Sequence, residues 1–261
     1  MKLIVNGDDF GITHACNLAI IDCFKNGGLR STSMMTNMDH CKEAAKLMKE
    51  NPDLSVGIHL CLTAGKPLTE VPSLVKEDGT FNKAILSNQI PVSLEEIEKE
   101  LEAQIDRFIE LTGKLPDHIN SHHGIEQIEG VDQILTKLSE KFDRPLRKFM
   151  NNPEDNYGPF LQADLPFVSF HPCKSPNDGY QPDQMIEALD DFMKRHPECE
   201  FCELALHPGY VDADLMDLSS LNTGRVYDAR MICSDEIKNW IRQYDIELAD
   251  YRSLPRNEKQ S

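Results

Sequence analysis

The sequence predicts a single-domain α/β fold, a TIM-barrel-like (β/α) barrel of parallel strands with a site at their C-terminal ends. Three observations predict it. Short apolar runs rich in β-branched residues alternate about eight times with stretches of helical periodicity, the pattern of a parallel sheet. At 261 residues and 40% hydrophobic content, one closed barrel is the simplest arrangement. Polar residues that look misplaced in apolar runs fall at the ends of different strands, which converge on one mouth in such a barrel. An open doubly wound sheet is the runner-up. No GxGxxG or GxxxxGKS follows a strand to support it with a nucleotide fingerprint.

The first strand, residues 3–6, runs into Gly7-Asp8-Asp9-Phe10-Gly11. Two adjacent carboxylates repel unless a cation or a shared proton relieves them. A helix follows, capped by Thr13 and stopped at Asn26-Gly27-Gly28. Residues 31–37 predict a second strand ending at Asn37, and Asp39 caps the next helix. Residues 54–62 form a third strand with His59 near its end. Residues 63–95 break the rhythm, and a loop that long predicts a wall or lid over a site, with Phe81 shaping the pocket. An amphipathic helix spans 95–112 and Gly113 ends it. The stretch 117–124 is a strand running into a loop, 131–142 a helix, 145–150 a short strand and 151–164 irregular. A brief strand at 167–170 ends at His171-Pro172, followed by a helix at 183–195 and a strand at 203–207. Ser234 caps a last helix, and 246–249 is the last strand. The domain is read as 1–252, with 253–261 a tail.

A formal charge of -17, from 44 acidic and 27 basic residues, excludes nucleic acid and anionic membrane as expected partners. The start of the chain has no charged stretch followed by an apolar one, and no apolar run approaches ~20 residues. The expectation is a cytoplasmic protein whose eight cysteines are reduced, with Cys199-Glu200-Phe201-Cys202 incidental.

One carboxylate and two imidazoles are a common set for one divalent metal, with positions left for water and substrate. A second carboxylate beside them can act as base, and a histidine across the mouth can protonate a leaving group. Asp8, Asp9, His59, His122 and His207 supply these groups. By strand alternation His118 lies deeper and is structural, while His123 points away from His122 and supports the site. Arg147 is placed to orient a carboxylate. His14, His40 and His196 are read as solvated. On ligand grounds alone the metal is zinc.

Asn6-Gly7-Asp8-Asp9-Phe10-Gly11, Gly57-Ile58-His59-Leu60, Gly65-Lys66-Pro67-Leu68, Asn120-Ser121-His122-His123 and Leu206-His207-Pro208-Gly209 together resemble the YdjC-like carbohydrate deacetylases, from residue 1 to about 252. The resemblance implies a distorted (β/α) barrel and one divalent metal, Mg2+, on Asp9, His59 and His122. It implies Asp8 as base, His207 as acid, and Arg147 and Arg230 near the pocket. It also implies a homodimer acting on small acetylated saccharides such as chitooligosaccharides. Two alternatives stay open: another metal-dependent sugar or phosphoester enzyme on the same fold, and a non-catalytic sugar-binding protein.

Overall fold

The computed structural model describes residues 1–147, 167–169 and 181–255. Its centre is β1 (Lys2–Phe10), buried along nearly its whole length. Chain order then gives α1 (His14–Asn26), β2 (Ser31–Met34), α2 (Cys41–Glu50) and β3 (Ser55–Leu60). They are followed by α3 (Leu94–Thr112), β4 (Ile119–Ser121), α4 (Val131–Phe142), β5 (Phe167–Ser169) and α5 (Pro182–Arg195). The last elements are β6 (Phe201–Leu206), α6 (Ala213–Leu218), α7 (Thr223–Cys233), α8 (Asp235–Gln243) and β7 (Glu247–Ala249). Every ladder among the described residues is parallel, so the C-terminal ends of these strands share one side. Strands buried on both faces read as continuous apolar runs, which is why the sequence locates them.

The sheet order is β4-β3-β2-β1-β6-β5, with β7 added to β1. This corrects the expectation of a closed barrel: among the described residues the sheet is open. Closure needs an unbroken ladder around the ring. The stretch expected as a strand at 145–150 supplies one bridge, Leu146 to Ile119, and residues 148–150 lie outside those described. The final strand pairs with β1 at Lys2 to Ile4 and does not join the two ends of the path. The expectations for 151–164, Phe170, His171 and the tail from 257 also lie outside the described residues.

Local signals explain the helix ends. Thr13 Oγ1 accepts from the Cys16 N–H, Ser93 caps α3, Ser234 caps α8, and Gly113 closes α3 at φ 74°. The expected cap by Asp39 is not made: α2 begins after His40, which supplies no side-chain bond. Neither α6 nor α7 is evident in the sequence. The buried side of α7 carries Gly224, Arg225, Asp228 and Ala229 beside Met231 and Ile232, so it shows no apolar stripe.

Residues 63–95 are pinned to the body of the protein. The carboxylate of Glu100, fully buried on α3, accepts from Leu68 N, Thr69 N and Thr69 Oγ1 at 2.7–3.1 Å. Glu96 does the same for Ser73. Val71, Leu74, Phe81 and Ile85 fill the core beneath. Phe81 is therefore a packing residue and not a pocket wall, a second correction. Gly57 on β3 is required by close approach: a Cβ there would lie 2.4 Å from the His118 ring, which stacks on Tyr251 with centroids 3.8 Å apart. His118 is buried, as its depth in the strand predicts, and burial holds its imidazole neutral.

Candidate active site

Two consecutive residues of a regular strand point to opposite faces, yet Asp8 and Asp9 both belong to the mouth. A break in the strand makes this possible. The β1–β2 register slips between Gly7 and Phe10, and Asp9 adopts φ 70°. The bulge re-aims one carboxylate so that the two face different partners of one buried site.

Asp9 Oδ1 lies 3.2 Å from His59 Nε2 and 3.0 Å from His122 Nδ1. One ligand atom from each of these three residues lies within 4.8 Å of the other two, and all three residues are buried. The approach of His59 Nε2 to Asp9 lacks hydrogen-bond alignment, so this buried nitrogen has no hydrogen-bond partner. Its tautomer follows from its neighbours. Asn120 commits its amide NH2 to Ser33 Oγ at 3.0 Å and Asp8 Oδ1 at 3.2 Å. Its Oδ1 then accepts from His59 Nδ1 at 2.6 Å, which leaves Nε2, on the side of Asp9, as the nitrogen whose lone pair a cation would take. An unsatisfied imidazole nitrogen, a second imidazole and a carboxylate form a donor set that fits one divalent cation.

Asp8 is the most heavily bonded group in the site. It accepts from Asn6 Nδ2 and Ser33 Oγ, each at 2.8 Å, and from Asn120. Arg147 Nη2 reaches both of its oxygens, at 2.6 and 2.7 Å. Burial alone would raise its pKa, but Arg147, His59 and His207 outweigh burial and hold the carboxyl below the usual carboxylate range. Asp9 is held low in the same way, with Arg225 and His122 opposing its burial.

Behind Asp8, Arg147 Nη1 donates to Glu203 Oε1 at 3.1 Å, and the Tyr251 hydroxyl donates to Glu203 Oε2 at 2.6 Å. Burial pushes the Glu203 pKa up to about 7 despite Arg147 and Tyr251. The folded value is thus above the ordinary 4.5, so the folded state binds the extra proton. Its contribution to stability is full below pH 4.5 and is lost as pH rises through about 7. Glu203→Gln should flatten the fall in melting temperature across that window. A wild-type slope in the variant would show that Glu203 does not carry it.

The other expected residues divide. His207 follows β6 and is half-buried, with its backbone N–H bonded to buried Asp228 at 2.9 Å, and it lies near enough to Asp8 to lower that pKa. His123 sits at φ 60°, exposed, with Nδ1 2.9 Å from Thr63 Oγ1 and its ring 3.8 Å from that of His122. It therefore ties the loop after β3 to the ligand turn. Asn37 bonds Ala64 O at 2.8 Å and pins the same loop. Asn37, His40, Lys66, Asp214 and Leu218 line an open cleft. Arg230 is exposed, on the part of α7 that faces away from the core. The buried arginine of that helix is Arg225, whose Nη2 lies 2.7 Å from Asp9 Oδ2. Arg225, Glu203 and Tyr251 were not singled out from the sequence. Glu203 left a trace, an acid inside the apolar strand Phe201-Cys-Glu-Leu-Ala-Leu206. Arg225 left none.

Fold and site together define an α/β protein with a parallel sheet and a candidate single-cation centre at its strand ends. The family model described as YdjC-like protein matches residues 2–243, and the chain belongs to that family. A carbohydrate deacetylase of Clostridium beijerinckii is 34% identical over 258 residues, covering 97% of this chain and 100% of that protein. One from Halalkalibacterium halodurans is 35% identical over 236 residues, covering 89% and 95%. The crystal structure of an Enterococcus faecalis protein, provisionally described as a cellobiose-phosphate cleavage protein, superposes with a TM-score of 0.82 at 30% identity. That match covers 97% of this chain and 98% of the other.

Proposed function

We propose that this chain is a cation-dependent hydrolase that removes the N-acetyl group from small acetylated saccharides such as chitooligosaccharides. The observation that carries this reading is the buried Asp9, His59 and His122 set, with its unpartnered His59 Nε2, beside an arginine-held Asp8. The names of the relatives supply the substrate class. A divalent cation on these three residues would supply Lewis acidity and lower the pKa of a water.

The chain's own residues do the rest. Asp8 takes the proton of the attacking water as its oxygen bonds to the acetyl carbon. Asn6, Ser33, Asn120 and Arg147 keep the Asp8 carboxylate in one orientation, so little reorganisation is needed at the moment of reaction. His207 gives a proton to the nitrogen as the C–N bond breaks, and acetate and a free amine leave. The formal charge of -17 disfavours a phosphorylated sugar and suits a neutral one. Residues 1–252 act as one catalytic domain, and a cytoplasmic homodimer completes the proposal. No helix among the described residues is long and apolar enough to cross a membrane.

The test is acetate release from N,N'-diacetylchitobiose by protein stripped of metal and then restored with Mg2+ or Zn2+. The expected result is release that depends on the added cation. The resemblance implies Mg2+, whereas two imidazole donors favour Zn2+, so restoring each separately decides between them. Sugar binding without acetate under either cation would favour the non-catalytic alternative.

A further inference from the structure

We infer that Arg225 is a positioning residue of the cation centre: it holds Asp9 Oδ2, so that Oδ1 alone faces His59 and His122. The inference rests on the cation reading of those three residues and extends it to a helix outside the ligand set.

The geometry supports a tether and not a chance ion pair. Asp9 sits at the break in β1 with φ 70°, which turns its carboxylate away from that of Asp8. Its Oδ2 has a charge-assisted bond of 2.7 Å from a guanidinium only 2% exposed. That guanidinium is fixed at a second point, since Arg225 Nε donates to Leu221 O at 2.8 Å. Two anchors on a rigid planar group leave the carboxylate little freedom to rotate. The pair also sets opposite buried charges against each other, which holds the Asp9 carboxylate in place.

The same contact gives a physical reason for the glycine in Leu206-His207-Pro208-Gly209. A Cβ at Gly209 would lie 3.0 Å from Arg225 Cδ, 3.1 Å from Arg225 Cβ and 2.8 Å from Cys16 Sγ. The Gly209 N–H also bonds the Arg225 carbonyl at 3.1 Å. The turn after β6 thus delivers His207 to the mouth and leaves the path by which Arg225 reaches Asp9. A larger residue at 209 would push the arginine off its line.

The test uses the full chain, stripped of metal and titrated with Co2+, read by calorimetry and by the visible absorption of the bound ion. The variants are Arg225→Gln, Arg225→Lys and Gly209→Ala. Losing a group that orients a ligand costs about 10–100-fold in metal affinity. Arg225→Gln is therefore expected to bind Co2+ about tenfold or more weakly. Its absorption bands should shift as Asp9 Oδ2 becomes free to join Oδ1. Gly209→Ala should move both readouts in the same direction while keeping the arginine. Lysine keeps the charge but loses the second anchor, so it should restore affinity only in part and leave the bands shifted. Wild-type affinity and bands in folded Arg225→Gln would overturn the inference. If that variant does not fold, Arg225→Lys decides, and unshifted bands would overturn it. Wild-type protein that binds no Co2+ would remove the cation reading itself, whereas unchanged variants of a protein that binds would remove only the role of Arg225.

Discussion

Asp8→Asn should lower the rate of acetate release by about 10³-fold, within the range that positioned proton transfer contributes, and leave cation affinity within about threefold. The side chain keeps its shape, and Asp8 is not among the three residues whose ligand atoms converge. The amide cannot take a proton from water. It also replaces a carboxylate that accepts from Arg147 at 2.6 and 2.7 Å, while the guanidinium keeps its bond to Glu203. Breaking a buried pair costs about 3–5 kcal/mol when the other charge is left alone. Glu203 can ionise in response, so the loss in melting temperature should correspond to the lower end of that range. The rate is measured as acetate per chain under saturating sugar, and affinity by calorimetry on the same preparation. Turnover near the wild-type rate would remove Asp8 from the mechanism. A fall in both rate and affinity would assign Asp8 to the cation instead.

His59→Gln should weaken cation binding by more than the 100-fold or so that loss of a supporting group costs, and abolish cation-dependent acetate release. His59 offers a buried Nε2 with no hydrogen-bond partner, and its ring orientation is set by the 2.6 Å bond to Asn120. Nδ1 is taken by Asn120, so only Nε2 can donate to a cation, and nothing else on the residue can substitute for it. Glutamine fills much of the same volume without crowding Ser33 or Asn120. Circular dichroism and the melting curve should therefore show a folded protein. An affinity equal to wild type would mean that the cation is held elsewhere, and the Asp9, His59 and His122 reading would fall with it.

The sequence was informative where chemistry is written into short segments. Paired aspartates after an apolar strand, a histidine ending another and a histidine pair ending a third identify a mouth whatever the sheet's closure. Parallel strands place their C-terminal ends together in an open sheet as in a barrel. Hence Asp9, His59 and His122 converge although the ring does not close among the described residues. Local helix signals such as Thr13, Ser234 and Gly113 are equally legible, because they act on the backbone within a few residues.

Contacts between distant segments were less legible. Arg147 was placed near a carboxylate, but its grip on both Asp8 and Glu203 depends on the bridge from Leu146 to Ile119. Phe81 was read as a pocket residue because its loop looks unstructured, whereas Glu100 and Glu96 fasten that loop and turn the ring into the core. Arg225 and Arg230 lie five positions apart on one helix, and nothing in the sequence says which faces inward. The apolar stripe that normally reveals an inner face is missing there, since the inner face is partly polar and serves the site.

By itself, then, the sequence determined the chemical inventory: a parallel α/β chain of the YdjC-like family carrying two carboxylates and three histidines at strand ends. Tertiary structure alone decided how that inventory is held. A bulge at Asp9 turns adjacent carboxylates to different partners, and Arg147, Glu203 and Tyr251 form a buried relay behind Asp8. Arg225, 216 positions away, fixes the free oxygen of Asp9. The physical reason is range: hydropathy and capping act over a few residues, whereas pairing a buried charge depends on packing that only the folded chain supplies.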